Sequence, residues 1–190
     1  MIIVKPLMIL TEERNPTPIG RKQSTFSELA EELCGILFML QILVFMFQYD
    51  FSGVVILRGI GWILLILAFL LFTLSKSALK QHGAPEENKS WVFTTVLVQQ
   101  GIYGVVRHPF SLGWIIMTIG LALVSQYWLS ILFMIIQLPV IVFGIFSEEK
   151  TNVGKFEAEY INYQKSVPMV NLFKGFVRYF LERRRSPSSV

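Results

Sequence analysis

Residues 107–149 read RHPFSLGWIIMTIGLALVSQYWLSILFMIIQLPVIVFGIFSEE. An arginine, a histidine and a proline open the stretch, two glutamates close it, and most of what lies between is apolar. Proline is tolerated in the first turn of a helix and pushes the preceding residue into an extended conformation. Pro109 therefore starts a helix, with Arg107 and His108 just outside its mouth. Ser125-Gln126 is a connection long enough only for a tight reversal, so one helix runs from Phe110 to about Val124 and the next from Tyr127 to Phe146. At 1.5 Å per residue each spans roughly 24–30 Å, close to the hydrocarbon thickness of a bilayer. The chain thus returns to its starting depth, level with Arg107 and His108, carrying Ser147-Glu148-Glu149. Paired acids at the end of a membrane helix oppose its dipole and are costly near hydrocarbon, so they require a cationic partner. Two arrangements satisfy that need: an internal ion pair between Glu149 and Arg107, or a polar cavity for a zwitterionic guest. In the second, the guest's cation lies towards the glutamates and its carboxylate towards the helix mouth, where unpaired N–H groups gather.

The whole chain agrees with a membrane setting. Its 190 residues are 53% hydrophobic and only 16% charged, with a mean hydropathy of +0.56, outside the usual range of a soluble domain. The single cysteine, Cys34, lies in an apolar run, so thiols build neither a disulfide framework nor a metal site. Met1 to Leu10 is apolar but short, is interrupted by Lys5 and Pro6, and reads as an interfacial segment, not a cleavable signal.

Two more spans precede the first pair, from about Leu29 to Tyr49 and from about Val54 to Leu74. Thr25-Phe26-Ser27-Glu28 reads as a capping box before the first, and Asp50-Phe51-Ser52-Gly53 closes an antiparallel hairpin. The expected fold is all-α: four transmembrane helices in two hairpins, with cytoplasmic amphipathic helices at the C-terminal end. The chain divides into an N-terminal segment 1–28, a first hairpin 29–74 and a C-terminal half 75–190. Lysines and arginines occupy 1–28, 75–109 and 148–190, and both hairpin tips lack them, so the positive-inside rule places both termini in the cytoplasm. This accounts for the formal charge of +4 without nucleic acid, and nothing points to an obligate protein partner. Arg58, the exception, is expected to snorkel.

From Phe146, apolar and aromatic residues recur at helical steps through Val153, Phe156, Tyr160, Tyr163 and Val167, predicting that the fourth helix continues or restarts outside the bilayer. Val170 to Leu181 is a second amphipathic piece, suited to an anionic membrane surface. The Arg-Arg-Arg-Ser-Pro-Ser-Ser-Val tail is expected to be floppy.

Taken in order, these residues resemble the integral-membrane isoprenylcysteine carboxyl methyltransferases and phospholipid methyltransferases. The resembling elements are Leu97-Val98, Gly101-Ile102-Tyr103-Gly104, Arg107-His108-Pro109-Phe110-Ser111-Leu112-Gly113 and Glu148-Glu149. Phe156, Tyr160, Tyr163 and Val167-Pro168 follow, and His82-Gly83-Ala84-Pro85 lies upstream. The family's pattern has Pro and Arg where Ile102 and Gly104 stand, and an aromatic-glycine step where this chain has Phe156-Glu157. Gly144 lies one turn before the acids, where prenylcysteine-specific members tend to carry a substrate-binding arginine.

The resemblance implies an S-adenosylmethionine-dependent methyltransferase with a cofactor pocket facing the cytoplasm. Leu97 and Val98 would frame the adenosine, Tyr103 would pack on the cofactor, and Arg107, His108, Pro109, Phe110 and Ser111 would hold its polar parts. Glu148 would take its ribose or amino group. The acceptor is expected to be lipid-like, most simply an isoprenylcysteine-type carboxylate, which is ionised near neutrality and needs no base. The alternative is the amine of a phospholipid headgroup, for which Glu149 or His108 would take the proton. A lipid tail would reach the site sideways between helices. Membrane sterol reductases share the Arg-His-Pro helix opening, which leaves an NADPH-dependent reductase as a remoter alternative.

Overall fold

The computed structural model describes residues 25–47, 53–84 and 94–185, with the backbone alone for 25–31, 182, 183 and 185. The segment before Thr25, the turn Asp50-Phe51-Ser52, Pro85 and the residues after Arg185 lie outside it, as do the side chains of the expected capping box. Among the described residues the elements are α1 (Thr25–Phe47), α2 (Val55–His82), a 3₁₀ turn (Gly101–Gly104), α3 (Pro109–Ser125), α4 (Trp128–Ser166) and α5 (Leu172–Arg185). Of these, α2 and α4 are each long and apolar enough to cross a membrane, whereas α3 and the apolar part of α1, Glu32–Phe47, are shorter.

The helices do not pair simply in chain order. The most extensive packing joins α2 to α3 and then α1 to α4, while α3 and α4 also touch; α1 and α2 meet through Phe45 and Trp62 near their shared turn. The first hairpin therefore straddles the second. Small residues make the α2–α3 contact close: a Cβ on Gly61 would fall 2.9 Å from the Gly120 carbonyl oxygen, and one on Gly120 would fall 3.1 Å from that of Gly61.

A buried polar cluster holds α1 against the second hairpin. The Gln41 amide donates to the Thr118 carbonyl (2.9 Å) and the Ser130 hydroxyl (3.2 Å), and its oxygen accepts from the Thr118 hydroxyl (2.8 Å) and the Gln137 amide (3.1 Å). All four side chains are buried, and in a low-dielectric core their mutual bonds offset the desolvation that each would otherwise suffer. Arg58 is buried, and a Cβ on Gly53, before the start of α2, would meet its Nη2 at 3.0 Å.

The decisive local feature is in α4. Glu157 has φ 47° and ψ −124°, outside the helical region. A straight helix would hold Glu149 and Tyr160, 11 positions apart, about 16 Å from each other. Instead the Tyr160 hydroxyl donates to Glu149 at 2.9 Å, because the break at Glu157 turns Ala158–Ser166 back onto the body of α4. The expected continuation of the fourth helix is thus a fold-back. The strained residue occupies the position that is glycine in the resembling pattern, and glycine adopts positive φ without Cβ strain. Glu157→Gly should accordingly raise unfolding stability by about 1 kcal/mol, seen as a higher melting temperature in detergent.

Candidate functional site

Three segments converge where the second hairpin closes. Arg107 lies in a bend and His108 has φ −121° and ψ 60°, not the extended conformation expected before Pro109; their backbone N–H groups donate to Pro168 (3.0 Å) and Met169 (3.1 Å) in the segment leaving α4. Pro109 then begins α3. From α4 come Glu148 and Glu149, adjacent in sequence but about 100° apart around the helix, so they face different ways. Glu149 is buried, while the Glu148 side chain stays 42% exposed.

Glu149 is enclosed by donors. Arg107 reaches it with Nε at 3.1 Å and Nη2 at 3.2 Å, His108 Nε2 lies at 2.6 Å, and the Tyr160 hydroxyl and Gln164 amide donate to it at 2.9 and 2.5 Å. The Arg107 Nη1 turns the other way, donating to the Gln164 and Val167 carbonyls at the end of α4. It neutralises the negative pole of that helix.

His108 is held between two carboxylates: Nδ1 lies 3.1 Å from Glu148 and Nε2 lies 2.6 Å from Glu149. A neutral imidazole donates through only one nitrogen, so two carboxylate partners favour the doubly protonated ring. Burial works against the charge, but the bonds and charges of both glutamates outweigh it and hold the pKa above the ordinary histidine value of 6.5. The sign follows directly. A pKa raised by folding means that the stabilisation is complete below pH 6.5 and fades as pH climbs through the raised value. The melting-temperature gap between the wild type and His108→Gln should therefore shrink as pH rises above 6.5.

In front of this cluster lies a cavity of about 500 Å³, within the ~300–1,000 Å³ of small-molecule sites. Its walls include Leu97, Val98, Tyr103, Arg107, His108, Phe110, Ser111 and Glu148, all expected from the sequence. Burial pushes the Tyr103 phenol upward, with the Glu148 charge adding to it, so the hydroxyl stays protonated. Tyr103 is positioned from behind, its carbonyl accepting the Tyr163 hydroxyl at 2.7 Å. Two expected site residues stand elsewhere. Pro109 is fully buried and Glu149 lies behind the His108 ring, neither on the cavity wall.

The structure adds residues that sequence reading passed over. Trp114 lines the cavity and packs against Phe38, Phe72 and Phe110; its place one turn beyond Phe110 is the signal that could have found it. Asn152, one turn after Glu148, also lines the wall. Gln164 carries no motif and is tied to Glu149 only through the fold-back. On the far side, Cys34 and Gly35 of α1 and Val140, Ile141 and Gly144 of α4 form an apolar margin. Among the described residues, no group of histidines, cysteines and acids is arranged to hold a metal ion.

Two helices long and apolar enough to cross a membrane, α2 and α4, contribute to a cavity whose wall is mostly apolar and carries Arg107, His108 and Glu148. The chain belongs to the phospholipid methyltransferase family, whose profile matches residues 56–158, more than half of its length. No curated protein and no solved structure matches it. Family and apolar helices together point to an integral membrane methyltransferase that acts on lipid.

Proposed function

We propose that the protein transfers a methyl group from S-adenosylmethionine to the amine of a phospholipid headgroup, in a cavity opening to the cytoplasm beneath four transmembrane helices, with both termini cytoplasmic. One observation carries the choice of acceptor. The two cationic side chains on the cavity wall are tied up, Arg107 by Glu149 and His108 by both glutamates, whereas Glu148, bonded on one side to His108, still has 42% of its side chain exposed. Such a wall favours cationic or proton-donating guests over a carboxylate. Gly144 adds to this, since a Cβ there would meet no atom within 4 Å and the wall offers no cation at that place.

The cavity residues suit the cofactor. Leu97, Val98, Trp114 and Phe156 offer apolar and aromatic faces, while Tyr103, Ser111, Glu148 and Asn152 offer polar groups of both kinds. When bound, S-adenosylmethionine supplies an electrophilic methyl on sulfur. In this reading the chain's own residues align the partners and exclude water, which is most of what an in-line displacement requires. Leu97 and Val98 frame the adenosine and Glu148 takes its hydroxyl or amino groups. An ammonium must lose a proton before it attacks. Glu149 already accepts from four side chains, and His108 holds protons on both nitrogens, so we assign proton uptake to Glu148 and positioning roles to the other two. The lipid tail leaves between α1 and α4, past Gly35 and Gly144.

Calorimetry with S-adenosylhomocysteine on detergent-purified protein tests the cofactor. Binding is expected, weakened about ten- to a hundredfold by Glu148→Ala, the range for losing a bond to a charged group. Labelled methyl transfer to phosphatidylethanolamine, but not to a prenylcysteine, is the expected acceptor result. Methylation of the prenylcysteine alone would overturn the amine assignment, and absence of cofactor binding would overturn the whole reading.

A further inference from the structure

The chain's formal charge is +4, and α5 accounts for all of it: five basic residues, Lys174, Arg178, Arg183, Arg184 and Arg185, against one acid, Glu182. The rest of the protein is balanced. At 100° per residue, Phe173, Phe176, Val177, Phe180 and Leu181 share one face of this helix. All five are exposed, Phe173 by 81%, and Phe176 and Phe180 stack on each other.

The opposite face is docked. Gly175 lies so close to the loop before α3 that a Cβ there would collide with the Val105 carbonyl oxygen. Arg178 donates to the Gly104 carbonyl, and the Tyr179 ring lies 3.4 Å from where a Gly104 Cβ would stand. Gly104 and Val105 directly follow Tyr103, which lines the cavity. One side of α5 thus grips the cavity wall while the other presents an apolar strip edged by cations.

We propose that this strip seats α5 on an anionic bilayer surface, and that seating fixes the Tyr103 loop so that anionic lipid tightens ligand binding in the cavity. A helix with an apolar face of this width, exposed cations at Lys174 and Arg184, and a sequence that holds the protein's entire excess of positive charge matches an interfacial helix on acidic headgroups. A neutral surface would accept the phenylalanines but offer no acidic headgroup to the exposed Lys174 and Arg184. The second half of the proposal rests on reading the cavity as a cofactor site; the first half does not.

The test uses the full chain in nanodiscs of phosphatidylcholine alone or with about a third phosphatidylglycerol. Tryptic cleavage at the arginines of α5 should be at least tenfold slower on the anionic discs, and S-adenosylhomocysteine should bind several-fold tighter there. Lys174→Ala should speed cleavage on anionic discs roughly fivefold, the worth of one surface-bound cation. Phe173→Glu combined with Phe180→Glu should abolish both lipid effects while leaving binding on neutral discs unchanged, since both rings are exposed. Equal cleavage on the two discs overturns the seating. Protection that follows protein concentration rather than lipid charge overturns it in favour of a second copy of the chain. Unequal cleavage with equal affinity overturns the coupling. Absence of S-adenosylhomocysteine binding on either disc overturns the cofactor reading, and the cleavage rates then decide the seating by themselves.

Discussion

Glu149→Ala should unfold the site rather than merely slow it. The substitution leaves the largely buried Arg107 guanidinium without its carboxylate and strips the buried His108 ring of one of its two. Removing one partner of a buried ion pair costs about 3–5 kcal/mol, because the remaining charge is stranded. It also removes the Glu149 bonds of Tyr160 and Gln164, which help to fasten the fold-back to the body of α4. Melting curves in detergent should show a large drop for Glu149→Ala and cofactor-product binding should vanish. Glu148→Ala is the control. Its side chain is substantially exposed, so its stability should fall by at most about 1 kcal/mol while binding weakens roughly ten- to a hundredfold. Equal stability losses in the two variants would refute the division of labour between the glutamates, one holding the site together and the other facing the guest.

That division was half legible in the sequence. The short Ser125-Gln126 reversal fixes the register of the two helices, so Arg107 and His108 had to meet Glu148-Glu149, and they do. Which acid turns inward was not legible, because adjacent residues differ by about 100° around a helix whose exact rotation no local pattern sets. The fold-back was hidden as well. A glycine at position 157 would have announced a break, whereas glutamate is an ordinary helix former and its positive φ is imposed by tertiary bonds. The pairing of α1 with α4 was invisible for a different reason. Helices apolar on every side carry no preferred face, and the cluster that chooses the partner is one polar side chain per turn or fewer: Gln41, Thr118, Ser130 and Gln137.

The acceptor assignment makes its sharpest demand at Gly144. Position 144 lines the cavity and has room for a side chain, and it lies four residues before Glu148, on the same face of α4. Gly144→Arg would bring a guanidinium within reach of Glu148 as an i, i+4 ion pair, closing off the exposed carboxylate and reversing the sign of the wall. An amine acceptor would then lose its charged partner and meet a like charge. Losing a bond to a charged group alone costs about 1.5–3 kcal/mol, so methyl transfer to phosphatidylethanolamine should fall roughly ten- to a hundredfold. A carboxylate acceptor would gain the cation that it lacks in the wild type, and transfer to a prenylcysteine should rise from background. The melting temperature should hold, because the new side chain enters open space. Should amine methylation survive Gly144→Arg unchanged, the exposed face of Glu148 is not where the headgroup sits, and the acceptor must approach along another wall.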